Sequence, residues 1–192
     1  MKFSREDVLA GAFRVYMKVG YDTTTVSHVQ RELRASRGAI YRFFTNMDEV
    51  FHAVVEEYIS KPFRSLIEQK GTGINLRDLI DSVVEKQESL DDFAAQLGVT
   101  REQYLDYLLL VLQAAKHEPD FVAREQQFRN EIIQILEKAM QVSVKENQIR
   151  SDIAHKPIAA VFADLLLASM RNADFGINVQ ENLLAVYDLI KK

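Results

Sequence analysis

Cysteine is absent from the 192 residues, glycine and proline number only 7 and 3, and no apolar run approaches the roughly 18 residues a membrane-spanning helix needs. Without cysteine there is no disulfide framework, no thiolate nucleophile and no Cys-based zinc or iron–sulfur site, which suits a reducing compartment. The scarcity of glycine and proline removes collagen-like and low-complexity readings. What remains is 47% hydrophobic and 27% charged, enough to close a core in one or two small domains. The opening Met1-Lys2-Phe3-Ser4-Arg5-Glu6-Asp7 is polar and lacks the apolar centre of a secretory signal. The expectation is therefore a cytoplasmic protein without a membrane partner.

The formal charge of −4 conceals a division: residues 1–50 carry 8 basic and 6 acidic side chains, the remainder 16 and 22. Between Gly11 and Thr45, Arg14, Lys18, Arg31, Arg34, Arg37 and Arg42 stand against only Asp22 and Glu32. A small basic module on an acidic body is a pattern suited to nucleic acid.

Helical punctuation recurs along the chain. Ser4 and Asp7 can cap a helix whose apolar positions run Val8, Leu9, Ala12, Phe13, Val15, Tyr16, with Gly20 closing it. A short helix is predicted from Val26 to Leu33 after Thr25, and another from Arg37 to Phe44 after Ser36. Asn46 and Glu49 form a candidate capping box for a longer helix through Val54 and Tyr58, with Pro62 as a break. Thr72-Gly73 and Asn75 precede a helix through Leu79, Val83 and Val84; Gly98-Val99-Thr100 with Gln103 precedes one containing Tyr104, Tyr107, Leu108 and Leu112. His117-Glu118-Pro119-Asp120 separates that from a long stretch through Phe128, Ile132, Ile135, Leu136 and Met140. No strand alternation is found, so the fold class is all-α, near nine helices.

From Pro157 to Ala168 only Asp164 is charged, and Leu183, Leu184, Val186, Tyr187 and Ile190 give the final segment an apolar stripe. Such helices are either intramolecular core or a subunit interface. A terminal helix has few neighbours to cover it, which favours a homodimer through the last two helices, about 157–173 and 179–191.

Two short helices joined by a tight turn, the second opening at Ser36-Arg37-Gly38, have the dimensions of a helix-turn-helix, in which the second helix offers its first residues to base edges. The ordered set Val8-Leu9, Ala12, Tyr16, Gly20-Tyr21, Thr24-Thr25-Val26, Val29, Ser36, Gly38, Ile40, Tyr41, Phe44 and Asp48-Glu49-Val50 resembles the N-terminal domain of the TetR family of transcriptional repressors. The resemblance implies a three-helix DNA-binding domain over residues 1–46 and a helical effector-binding and dimerisation domain over 47–192. It further implies that Thr25 and Tyr41 touch phosphate and that Arg37, Gly38 and Ala39 approach base edges. Ser36, Ser27, His28 and Arg42 lie near the expected DNA face and complete the candidate set. Each has a plain alternative: solvated charge for Arg37 and Arg42, core packing for Tyr41, a solvated histidine for His28.

The sequence departs from the family pattern in places. Arg34 occupies a turn position where the family has glycine. Either it holds a left-handed conformation at a cost of about 1 kcal/mol, or the turn is built differently. Met47 replaces a common phosphate-binding lysine and Phe43 a common histidine.

By the same resemblance the protein is a regulator, more often repressor than activator, that binds a palindromic operator in double-stranded DNA as a homodimer and is released by a small-molecule effector. Phe93, Tyr104, Tyr107, Phe121, Phe128 and Phe162, with Gln87, Gln96, His117, Arg171 and Asn172, lie in the body. Aromatic residues at helical spacing are more often core than ligand cage, so no ligand residue is singled out; an apolar or amphipathic effector is expected.

The rival readings are an enzyme and a dimeric ligand-binding or protein-interaction module with a degenerate helix-turn-helix. Glu49-x-x-His52 has the spacing of one half of a di-iron bundle site, and Asp152-x-x-His155 is the nearest approach to a second half. No phosphate-binding glycine loop, G-x-S-x-G elbow or His-Glu-x-x-His motif is present. Neither catalytic residues nor a metal or other cofactor are expected.

Overall fold

The computed structural model describes residues 3–61, 73–83, 103–172 and 179–192, apart from the side chains of Tyr104, of residues 169–172 and of Val179. The expected break at Pro62, the caps at Thr72 and Gly98-Val99-Thr100, and Val84, Gln87, Phe93 and Gln96 lie outside these residues, as do the side chains of Arg171 and Asn172. Every regular element among the described residues is helical, and the chain divides into two compact units.

The first unit comprises Met1–Pro62 and Leu97–Phe121. Its helices are α1 (Arg5–Val19), α2 (Val26–Leu33), α3 (Arg37–Tyr41) and α4 (Met47–Val55), the last continuing as a π-helical turn over Glu56–Ser60. α1 starts where the sequence indicates: the Asp7 amide donates to Ser4 Oγ at 3.1 Å, and the Ser4 amide to Asp7 Oδ2 at 2.9 Å. It ends at Gly20, whose φ of 75° closes the helix through a bond from its amide to Tyr16 O. Gly11 lies inside α1, where glycine weakens a helix. A Cβ there would stand 2.4 Å from Leu33 Cδ2, so the missing side chain is the space α2 occupies.

α1 buries Val8, Leu9, Ala12, Phe13 and Tyr16 against α2, α4 and a later helix. Phe13 stacks on Tyr58 at 4.5 Å, and Phe51 meets Tyr16 edge-on at 5.1 Å. Burying each such aromatic contributes roughly 1.5 to 3 kcal/mol, so the aromatic cluster is a substantial part of the support of this unit.

Two local expectations need correction. α3 ends at Tyr41 rather than at Phe44. The Phe43 amide bonds to Ile40 O at 3.0 Å, which tightens the last turn and turns Phe44 inward to 3% exposure. Asn46 Oδ1 does accept from the Glu49 amide, but Glu49 returns its carboxylate to the Thr45 amide rather than to that of Asn46.

The second unit comprises Phe63–Gln96 and Val122–Lys192. α5 (76–83) opens at Asn75, whose Oδ1 accepts from the Asp78 amide. The unit also takes all but the first residue of α7 (Phe121–Lys145), together with α8 (His155–Asn172) and α9 (Val179–Ile190). They enclose a core containing Leu76, Ile80, Ile132, Leu136, Met140, Phe162, Leu166, Leu183 and Tyr187. Arg129 grips Asp164 with two bonds of 2.6 and 2.8 Å, fixing α7 to α8 and accounting for the lone charge in the apolar stretch. α6 (Tyr104–His117) belongs to the first unit. No described helix is long and apolar enough to cross a membrane.

Candidate nucleic-acid interface

The turn between α2 and α3 sets the geometry of the site. The Ala35 amide bonds back to Gln30 O at 3.0 Å and the Arg34 amide to Arg31 O, reversing the chain within two residues. Arg34 has φ 51° and ψ 41°, the left-handed conformation that the departure from glycine anticipates. Val29 on α2 and Ile40 on α3 are wholly buried and hold the two helices.

The opposite side of α3 is open. Ser36, Arg37, Gly38 and Arg42 are exposed, and Ala39 and Tyr41 half-buried. The Arg37 guanidinium lies 5.2 Å from the centre of the Tyr41 ring, so these two candidates share one face one turn apart. Thr25 and Ser27 are exposed at the start of α2. His28 is engaged locally, its Nδ1 accepting from the Thr25 amide at 3.2 Å and capping the helix. A Cβ added at Gly38 would find only Ser36 Oγ, at 4.0 Å. The fold itself does not require glycine there.

Tertiary pairing sorts the basic residues into two groups. Glu32 accepts from Arg14 at 2.7 Å and Lys18 at 3.2 Å, and the Arg14 bond holds its carboxyl below the usual glutamate range. Among the described residues no carboxylate pairs with Arg31, Arg34, Arg37 or Arg42. The uncompensated charge is thus on the last turn of α2, the turn that follows it, and α3 with its C-cap. Nothing in the local sequence pattern separates the two groups, because Arg14 and Glu32 lie on different helices.

A second feature that sequence reasoning missed is the anchoring of the α1–α2 connection by α6. Gln113 accepts from the Tyr21 amide at 2.7 Å, Lys116 donates to Asp22, and His117 lies against the Tyr21 ring at 4.5 Å with Nε2 3.0 Å from Asp22. The Tyr21 hydroxyl donates to Asp48 at 2.7 Å, which pushes its pKa up to about 12. His117 thus lies within ion-pair distance of Asp22 in this unit, although its buried Nε2 makes no hydrogen bond. Tyr107 bonds to Tyr58 O, whereas Phe128 and Phe162 are core residues of the second unit. Glu49 is engaged by Thr45, and His52 Nδ1 lies 2.5 Å from Glu118 Oε2. Among the described residues no group of three His, Cys, Asp or Glu side chains could hold a metal ion.

Four carboxylates of this unit are held below their usual range, Glu6 by its own backbone amide, Asp7 by the Ser4 amide, Glu32 by Arg14 and Glu49 by the Thr45 amide. Groups with a depressed folded-state pKa stabilise the protein above the unfolded value, 4.5 for glutamate, and that contribution is lost as pH falls through the folded value. The urea midpoint should be flat from pH 7 to 5 and fall below about pH 4.5, with a shallower fall in Glu32→Gln. An identical acid limb in that variant would assign the loss to other groups.

Residues 8–54, about a quarter of the chain, match the family model of the bacterial regulatory proteins, tetR family. The HTH-type transcriptional repressor Rv1474c of Mycobacterium tuberculosis is 22% identical over 97% of this chain and 90% of its own length. Among solved structures, a TetR transcription regulator from Haloarcula marismortui superposes with a TM-score of 0.68 over 97% of each chain at 13% identity. SmeT, the repressor of the Stenotrophomonas maltophilia multidrug efflux pump SmeDEF, does so with 0.61 over 100% of this chain and 92% of its own, at 20% identity. SmeT is also known in complex with triclosan. With the helix-turn-helix built as the sequence requires, residues 8–54 are similar to the bacterial regulatory proteins, tetR family, and the whole chain shares the fold of the solved regulators.

Proposed function

We propose that the protein is a repressor that binds a palindromic operator as a homodimer and is released by a small-molecule effector. The observation that carries this reading is the open face of α3: exposed Ser36, Arg37, Gly38 and Arg42, with a glycine no intramolecular contact requires. A glycine facing open space is explained by a surface that comes against the backbone when bound. In this reading residues 1–46 bind DNA. Arg37, Gly38 and Ala39 meet base edges, Thr25 and Tyr41 meet phosphate, and Ser27, His28, Ser36 and Arg42 line the contact. Gly38→Ala should leave the melting temperature unchanged or raise it, while weakening operator binding by about tenfold, a cost of overpacking a close contact. Unchanged affinity would remove Gly38 from the interface.

Residues 47–192 supply dimerisation and effector binding. Val161 on α8 and Leu189 on α9 are 48% and 75% exposed, although both helices bury their other apolar faces. A second copy covering them would bring two recognition helices together, about 34 to 36 Å apart on one face of the duplex. An effector that prefers another separation weakens DNA binding by its differential affinity, and DNA weakens effector binding equally. SmeT, of the same fold, binds triclosan, which supports an apolar effector class.

The test is selection of bound sequences from a random DNA library, titration of the winner across salt, and sedimentation of the free protein. An enriched inverted repeat, affinity falling steeply with salt and a mass of two chains are expected. A dimer that enriches no sequence would leave the alternative, an interaction module with a degenerate helix-turn-helix.

A further inference from the structure

We infer that Arg34, together with Arg31, forms an additional phosphate-binding pair at the turn between α2 and α3. The inference rests on the DNA-binding reading above and adds to its contact set. Arg34 is the C-cap of α2 at φ 51°, a conformation disfavoured for any residue with a Cβ and taken most readily by glycine. Neither glycine nor asparagine would sacrifice the capping bonds, because the cap uses only the backbone amide of residue 34, directed at Arg31 O and Gln30 O. The strain therefore serves the side chain.

That side chain is exposed and has no carboxylate partner among the described residues, and the same holds for Arg31 one turn earlier. The nearest acid in sequence, Glu32, is taken by Arg14 and Lys18. Favourable interaction with the carbonyl end of α2 is the competing explanation, since cations stabilise helix C-termini. Arg31 already supplies a cation to that last turn, so a second one, held in a strained conformation, is left without a purpose inside the fold.

Position 34 is three residues before Arg37, so their Cα atoms lie within about 11 Å of each other. A phosphate flanking the groove that receives the N-terminus of α3 is within reach of a guanidinium on the turn.

The experiment uses the full-length protein, the selected duplex, and the variants R34G, R34K and R31Q. For R34G the slope of log affinity against log salt should become shallower by about 0.9 per half-site, with binding about fivefold weaker per half-site at roughly 0.15 M salt. Its melting temperature should be equal or higher, because glycine relieves the strained backbone. R34K should retain the wild-type slope, and R31Q should lose a similar share. A lower melting temperature with an unchanged slope in R34G would assign Arg34 to capping and overturn the inference. A wild-type protein without sequence enrichment or salt dependence would overturn the DNA-binding reading itself, and this pair with it.

Discussion

Arg37→Ala is expected to weaken operator binding by about 1 to 3 kcal/mol, roughly five- to more than a hundredfold, and to relax the preference at one operator position. The residue is exposed at the first position of α3, where a recognition helix presents side chains to the major groove. Among the described residues it has no acidic partner, so no ion pair must break for it to bind guanine O6 and N7 bidentately. Its contact with Tyr41 holds the guanidinium over one face of the helix and limits the rotamer freedom lost on binding. Folding should be nearly indifferent: surface substitutions of this kind fall within about 0.5 kcal/mol. Binding to the selected duplex and to single-base variants would measure both effects. A uniform loss across all variants would make Arg37 a phosphate contact, and no loss would leave it as solvated charge.

Phe51→Ala should cost about 3 to 5 kcal/mol of stability, the usual consequence of removing a buried aromatic. Phe51 is 1% exposed, meets Tyr16 at 5.1 Å and lies 4.2 Å from the Tyr21 ring. Tyr21 also holds Asp48 and rests on His117, so the cavity would undermine the connection between α1 and α2 as well as α4. Typical domains are stable by only about 5 to 15 kcal/mol, so the variant should unfold at much lower urea concentration. Phe51→Leu, which keeps most of the volume, should cost less than about 1.5 kcal/mol. A loss below about 1 kcal/mol for the alanine variant, well short of the usual range, would mean that the cluster is not a substantial part of the support of the first unit.

Much of the N-terminal region was legible because its determinants are local. Ser4 with Asp7, Thr25, Ser36 and Asn46 lie within three residues of the amides or helices they start, and the apolar positions of α1 recur at helical spacing. The left-handed conformation at Arg34 was one of two alternatives that the family's glycine at this turn position left open, and the structure takes it. The end of α3 was not legible, because Phe44 is buried at 3% exposure outside the helix, and burial set by tertiary packing is not written in the local pattern. The amide that Glu49 binds was missed by one residue, since Thr45 and Asn46 offer amides of similar reach.

The order of helical elements, the basic N-terminal module and the family motif were thus determined by the sequence itself, through caps, periodicity and spacing that act over a few residues. The selection of functional charge was decided only in three dimensions. Arg14 and Arg37 are chemically alike, but Glu32 of a neighbouring helix satisfies the first and no described acid reaches the second. The tethering of Tyr21 and Asp22 by Gln113, Lys116 and His117 spans more than ninety residues. Side-chain pairing at such separation depends on how helices pack, and the pattern within any one helix does not encode which partner will be brought within about 3 Å.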